Sequence, residues 1–413
     1  MLENPRRGAD APSSDRYDRA DTLIFVALLK PLSLDTNQTD MKILFVFGTR
    51  PEAIKLAPVI RELVARPEFD CKICVTGQHR EMLAQVVELF DLRPDWNLEV
   101  MRPNQDLAYI TGAALSGVSG VLDGFRPDRV IVQGDTTTTF VGALAAFYHR
   151  IAVAHVEAGL RTNDIYSPWP EEVNRRLVTQ IADLHFAPTA RARENLLREG
   201  VDDDRVLVTG NTGIDALLWV STLLDKRPEL HSRFAAVLPA HLESRRVILM
   251  TGHRRESFDG GLERVSRAMA RIAQRSDVAI IFPVHRNPNV RRAIEPLRAH
   301  ENILLVDPVD YPQLVFLLKR CHFVVTDSGG IQEEAPSFGK PVLVTRDTTE
   351  RPEATELGLA KLVATDEHRL FVEMSALLDN PEAYARMSRA HNPYGDGHAS
   401  TRIAERLIGE AAE

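Results

Sequence analysis

Short apolar runs rich in β-branched residues recur along this chain, separated by longer stretches whose apolar positions fall three and four apart. KILFVFG, CKICVTG, DRVIVQGD, IAVAHVEAG, LHFAP and RVLVTG come first, with helical spacing between them over 81–90, 107–122 and 136–148. Runs that are apolar throughout mark strands buried on both faces, and their alternation with helices predicts a parallel sheet covered on each side. Thr189 and Gly200 bracket TARARENLLREG as N-cap and C-terminal stop. Pro58 falls where a helix opened at Pro51 would continue, which predicts a loop through Ala57 and a helix proper from Pro58.

Residues 211–224 read as a helix, and 225–246 are charged, Pro-containing and free of any strand pattern. The alternation then restarts with VILMTGH, VAIIFPVH, NILLVDP, FVVTDSG, PVLVTR and AKLVA. Two successive units of similar size predict an α/β fold of two doubly wound parallel-sheet domains facing a cleft. The expected boundaries are 41–210 and 211–392, with a closing helix in 393–413 packed back on the first domain. Ligands of such sheets sit beyond the carboxyl ends of the strands.

Length and charge narrow the class. At 413 residues the chain exceeds one core's usual size, and a net charge of -8 argues against a nucleic-acid binder. Three cysteines make no disulfide framework, which fits a reducing, cytoplasmic setting. Cys71 and Cys74 form a CxxC inside a strand pattern, on opposite faces, and so belong to the core rather than to redox chemistry. Residues 1–40 are polar except for an apolar run in 22–34 that is too short to span a bilayer. They read as a disordered extension, or an upstream start, ahead of a fold beginning at Met41.

Candidate chemistry gathers at the strand ends. VVTDSGGIQEEAPSFGKPVLVTRDTTERPE (324–353) reads strand, tight turn, helix, strand and polar loop. Gly329-Gly330 would let a ligand approach the backbone, and the first amides of the helix favour an anion. Glu333 and Glu334 lie where a carboxylate can accept ribose hydroxyls, and Arg346 and Arg351 suit phosphate. The competing reading is an ordinary βα turn with a solvated charged loop. Arg50 and Lys55, after the first strand, are candidates for phosphate or sugar, and Asp135 is either functional or a helix N-cap. Glu157 and the loop to Glu171-Glu172, with Trp169 between prolines, resemble an active-site wall. Carboxylates sharing one cleft push their pKa values apart, which supplies both an acid and a base. His253 ends a facing strand as a candidate acid or phosphate ligand. No GxGxxG follows any strand, and no HExxH or thiolate cluster points to a metal; Asp202-Asp203-Asp204 reads as a loop.

GTRPEAIKLAPVI, GQHREML, GDTTTT, HVEAGLRT, SPWPEEVNR, TGHRRESF, PVHRNPNVR, the 326–354 stretch and HNPYGDG together resemble the bacterial non-hydrolysing UDP-N-acetylglucosamine 2-epimerases from Met41 onward. The resemblance implies a glycosyltransferase-B architecture, a homodimer, no cofactor, and no nucleic-acid or membrane partner. It implies interconversion of UDP-GlcNAc and UDP-ManNAc by loss and re-addition of UDP through 2-acetamidoglucal, supplying ManNAc for cell-surface polysaccharide. Asp135, Glu157 and Glu171 match its proton-transfer carboxylates and His253 its diphosphate histidine. Arg50, Lys55, Ser328, Gly329, Gly330, Glu334 and Arg351 match its substrate contacts, with the uracil wall in 309–314. Leu314 stands where relatives often have Phe. Gln78, His79, Arg254, Arg255 and His285 match a regulatory site for a second UDP-GlcNAc as activator. A UDP-sugar glycosyltransferase, a hydrolysing epimerase and a non-catalytic UDP-sugar sensor are the alternatives.

Overall fold

Residue alternation in the first strand shows why the sheet lies inside. Ile43, Phe45 and Phe47 of β1 (Met41–Phe47) enter one apolar cluster, while Leu44 and Val46 enter another on the opposite face. The structure is a computed structural model that describes residues 41–77, 80–102, 105–235, 239, 242–252, 260–285, 287–389 and 391–411. Residues 1–40, expected to be a disordered extension, lie outside the described residues.

The first sheet joins β1 to β2 (Phe69–Val75), β3 (Trp96–Asn97), β4 (Arg129–Gln133), β5 (Ala152–Val156), β6 (Leu184–Ala187) and β7 (Val206–Val208). All pairs are parallel in the order β3-β2-β1-β4-β5-β6-β7, with Ile43 opposite both Cys71 and Arg129. Six of these strands are those the pattern predicts. β3 is too short to carry a periodic signal. Its covering helices are α1 (Arg50–Val64), α2 (Arg80–Leu89), α3 (Leu107–Phe125), α4 (Thr137–Tyr148), α5 (Glu171–Ile181) and α6 (Ala190–Arg198). Thr189 caps α6 by accepting from Ala192 N, and Gly200 follows its end at φ 89°.

α7 (Thr212–Lys226) and α8 (Pro228–Ala235) lead to the second sheet. Its strands are β8 (Arg246–Thr251), β9 (Val278–Pro283), β10 (Ile303–Val306), β11 (Phe323–Thr326), β12 (Val342–Val344) and β13 (Ala360–Leu362). They are again parallel, in the order β10-β9-β8-β11-β12-β13. α9 (Gly261–Ile272), α10 (Pro288–Ile294), α11 (Tyr311–Arg320), α12 (Gly329–Glu334), α13 (Pro352–Glu356), α14 (Glu367–Asp379), α15 (Pro381–Ser388) and α16 (Ala399–Ala411) complete the chain. The fold class is therefore the one the alternation predicts.

One expectation fails. α1 runs unbroken through Pro58, with no loop to Ala57. Pro51 and a Thr49–Glu52 capping box start it, and Ile54, Leu56, Val59, Ile60 and Leu63 are all buried. A proline inside a helix costs about 3 kcal/mol, while each buried aliphatic side chain stabilises by about 1.5–3 kcal/mol. Packing wins.

α7 carries the chain from one sheet to the other and packs against both α1 and α11. α16 returns to the first half, where Asp215 accepts from Ala399 N, Ser400 N and Ser400 Oγ at 3.2, 2.8 and 2.6 Å. Arg129 reaches Glu410 at 2.8 Å. The two crossing segments touch, with Asn211 N donating to Tyr394 O at 2.6 Å.

Cys71 and Cys74 pack on opposite faces of β2, where burial pushes both thiols up to about 12. Two of the three aspartates enter a 3₁₀ turn at Asp203–Arg205, with Asp202 as its N-cap and Asp203 paired to Arg193. Among the described residues, no helix is long and apolar enough to cross a membrane.

Candidate active site

Parallel strands deliver their following loops to one edge, so the two sheets present their carboxyl ends to a shared cavity of about 830 Å³. Arg50, Lys55, Asp135, Glu157 and Glu171 line it from the first half. His285, Leu314, Ser328, Gly330, Glu334 and Arg351 line it from the second. His253, Gln78, His79, Arg254 and Arg255 lie outside the described residues.

Glu52 sits at the point where strand order reverses, between β1 and β4. Its carboxylate accepts from Gly48 N (3.1 Å), Thr49 N (2.7 Å), Thr136 Oγ1 (2.6 Å) and Thr139 Oγ1 (3.1 Å). Amides and hydroxyls at such a switch point are suited to a phosphate. Here the protein's own carboxylate uses them. Thr136, not Asp135, caps α4, so Asp135 is released from the capping role the sequence left open.

Asp135 is instead gripped by α5. The Arg175 guanidinium donates to its carboxylate, and Asn174 Nδ2 to its backbone oxygen at 3.0 Å. Arg175 also holds Glu172 at 3.1 Å, and Glu172 accepts from Thr162 N and Asn163 N, bracing the loop before it. Glu171, the first residue of α5, lines the cavity beside Pro168. Trp169, expected in the wall, is 61% exposed and does not line the cavity. Glu172 anchors the loop at Thr162 and Asn163, and the Trp169 ring stays exposed.

Glu157 follows β5 at φ 66°, a left-handed conformation that is uncommon for a residue with a side chain. Lys55 Nζ lies 2.5 Å from its Oε1, Gln133 donates to Oε2, and Asn211 Nδ2 reaches Oε1 at 3.3 Å. Burial opposes its ionisation, but Lys55 and then Arg351 outweigh burial and hold it below the usual carboxylate range. Lys55 therefore stands on Glu157 rather than open for a ligand. Arg50 differs: among the described residues it has no hydrogen-bond or ion-pair partner, and it faces Asp310 and Glu334.

On the second half, Ser328 is the N-cap of α12 and its amide donates to Thr326 Oγ1 at 2.9 Å. Gly329 is fixed by a close approach: a Cβ there would meet Arg351 Nη1 at 2.5 Å. Gly330 has nothing within 4 Å of that position and opens to the cavity. Arg351 is held by Glu333 and Glu350, each at 2.5 Å. Glu333, grouped above with Glu334 as a ribose acceptor, is 3% exposed and spends its oxygens on Arg351 and Asn211. Glu334 accepts from the Tyr311 hydroxyl at 3.1 Å, and burial pushes its carboxyl up to about 7. Leu314 lies with Val309 and Tyr311 along the same wall. His285 accepts from Asn287 N at 3.2 Å.

Glu52, Gln133, Arg175 and Asn211 were missed as site residues, while Tyr311 falls inside the predicted 309–314 wall. Arg175 lies within SPWPEEVNR, and Thr49-x-x-Glu52 is a capping-box signature, so two carried a local signal.

A profile of the family described as UDP-N-acetylglucosamine 2-epimerase matches residues 61–408. The chain is 54% identical over 369 residues to the UDP-N-acetylglucosamine 2-epimerase of Escherichia coli K12, covering 89% of this chain and 98% of that one. It is 55% identical over 368 residues to a probable UDP-N-acetylglucosamine 2-epimerase of Ralstonia nicotianae, with the same coverages of 89% and 98%. The crystal structure of UDP-GlcNAc 2-epimerase from Neisseria meningitidis bound to UDP-GlcNAc superposes with a TM-score of 0.85 at 47% identity, over 89% of this chain and 100% of that one.

Proposed function

The chain belongs to the UDP-N-acetylglucosamine 2-epimerase family, and from that premise we propose that it reversibly epimerises UDP-GlcNAc to UDP-ManNAc at C2. The observation that carries the reading is one cavity in which Asp135, Glu157 and Glu171 face the Ser328–Gly330 turn. Carboxylates can move a proton at C2, and the turn with Arg50 and Arg351 can hold a diphosphate.

The C2–H bond is not next to a carbonyl, so its ionisation needs a departing anion. A carboxylate takes the C2 proton, the C2–H electron pair becomes the C1–C2 double bond, and the C1–O pair leaves with UDP. The product pair is 2-acetamidoglucal and UDP. Protonation of C2 on the other face, with re-addition of UDP at C1, gives the epimer. Each positioned acid or base supplies about 10²–10⁴-fold. Cations on the departing diphosphate add electrostatic stabilisation. Glu334 would hold the ribose and the 309–314 wall the uracil, with Leu314 in place of a stacking ring. The same reading includes His253 at the diphosphate and a second UDP-GlcNAc as activator beside His285. It also includes a homodimer acting in the cytoplasm and supplying ManNAc for surface polysaccharide.

Incubation with UDP-GlcNAc alone in D2O tests it. Both UDP-GlcNAc and UDP-ManNAc should appear with deuterium at C2. Free ManNAc and UDP would mean a hydrolysing epimerase, and turnover only with an added acceptor a glycosyltransferase. Binding with no product would mean a sensor. Epimerisation with the original hydrogen retained would overturn the elimination route.

A further inference from the structure

We propose that Glu333 is a positioning residue of this reaction: it passes the occupancy of the diphosphate site, felt at Arg351, to Glu157 through Lys55 and Asn211. The inference rests on the epimerase reading above. Its basis is an unbroken set of contacts across the cavity. Arg351 Nε lies 2.5 Å from Glu333 Oε1. Glu333 Oε2 accepts from Asn211 Nδ2 at 2.9 Å and lies 3.9 Å from Lys55 Nζ. Lys55 Nζ lies 2.5 Å from Glu157 Oε1, which Asn211 Nδ2 also reaches at 3.3 Å. Lys55 and Asn211 are shared donors. Each touches one carboxylate from each half.

Solvent does not set the balance here. The side chains of Glu333 and Glu157 are 4% and 6% exposed and that of Lys55 15%. Glu157, Glu333 and Glu350 face Lys55, Arg351 and Arg346, the last 2.8 Å from Glu350. Arg175 on α5 also faces Glu157, whose other oxygen is held by Gln133. Burial pushes Glu333 upward against the pull of Arg351 and Lys55, and the Glu157 charge adds to the upward push.

A diphosphate seated against Arg351 competes with Glu333 for the guanidinium. Glu333 then leans on its remaining donors, which are those of Glu157. Glu157 loses part of what stabilises its anion, so its affinity for a proton rises. In the empty site it is a weak base pinned by Lys55. With nucleotide present it becomes strong enough to take the C2 proton as the C1–O electron pair leaves with UDP. The base is thus strong while UDP is held, both before elimination and during re-addition.

Calorimetry of UDP binding at pH 5, at saturating UDP and in buffers of differing ionisation heat, reads the proton taken up. Wild-type protein should take up a proton fraction that both Glu157→Gln and Glu333→Gln lose. The Glu333 charge helps to raise Glu334, so all three are compared in a Glu334→Gln background, which removes the proton that group would release. Glu333→Gln should also lower kcat about tenfold, the equivalent of one pKa unit, with KM little changed. Wild-type uptake in Glu333→Gln would overturn the relay. Should that variant not fold, Asn211→Ser keeps a capping oxygen and removes the shared amide. Undiminished uptake there would overturn the proposal equally. The binding measurement needs no turnover, so UDP-linked uptake without epimerisation removes the epimerase reading and leaves the relay. Epimerisation without linked uptake does the reverse.

Discussion

The Tyr311 hydroxyl donates to Glu334 Oε1 at 3.1 Å in a site buried enough to push that carboxyl up to about 7. Empty, the site keeps Glu334 protonated below neutrality. Ribose hydroxyls donating to it would favour the carboxylate, so UDP binding should release a proton near pH 7. The folded value stands above the ordinary 4.5. The contribution of this group to apo stability is therefore complete below 4.5 and lost as pH rises through about 7. Nucleotide affinity runs the other way. It should be highest above pH 7 and fall up to about tenfold per unit below it. Glu334→Gln should flatten both dependences, as calorimetry across pH 5–8 would read. A wild-type slope in that variant would place the titrating group elsewhere.

Gly329 should tolerate no side chain. Its Cβ would displace an Arg351 already engaged by Glu333 and Glu350. Gly329→Ala is expected to cost roughly 1–3 kcal/mol of stability through that overpacking and to weaken UDP binding by moving Arg351. Gly330→Ala meets nothing in the empty site. It should keep the wild-type fold and show its effect only when nucleotide is bound. Equal UDP affinity for Gly329→Ala and wild type would remove the close-approach argument.

Arg175 is expected to matter through Asp135. Arg175→Lys leaves a single ammonium to serve Asp135 and Glu172, which a guanidinium fork serves together. A fall in kcat of about 10²-fold with KM within a few-fold is expected, the size of one acid–base contribution. An unchanged melting temperature beside that fall would separate positioning of Asp135 from loss of stability. An unaltered kcat would show that Asp135 does not need the grip.

Glu52→Gln tests the internal anion. An amide can satisfy only some of the donors now converging on Glu52, and turns its own N–H groups toward the rest. Leaving a buried donor unmet costs about 1–3 kcal/mol, so the denaturation midpoint should drop while UDP affinity holds. A midpoint equal to wild type would mean that the two loops do not depend on that carboxylate.

Much of this was readable beforehand, for a physical reason. Parallel strands buried on both faces are apolar throughout, and the sheet places functional loops at one edge, so Asp135, Glu157 and Ser328 stood out by position. Pairing across long separations did not. Lys55 looked like a phosphate contact because nothing local shows Glu157, 102 residues away, coming within 2.5 Å. Trp169 looked like a wall because its prolines and carboxylates are adjacent in sequence, while its exposure depends on how Glu172 anchors the loop. Glu52 carried a capping signature, yet its bonds to Thr136 and Thr139, 84 and 87 residues on, depend on tertiary approach. Pro58 misled because local cost was weighed without the packing that offsets it.

α16 packs on α1 and is held by Asp215, and this docking sets the order in which the molecule can be completed. Asp215 waits 185 residues for Ser400, and Arg129 waits 281 for Glu410. During synthesis the amino-terminal sheet therefore emerges with part of the apolar face of α1 uncovered, and stays so until the carboxy-terminal sheet has followed. Contacts of such long sequence separation close late and leave sticky surface in the meantime. Chaperone dependence on the ribosome should track the arrival of residues 399–411, not the end of the first sheet.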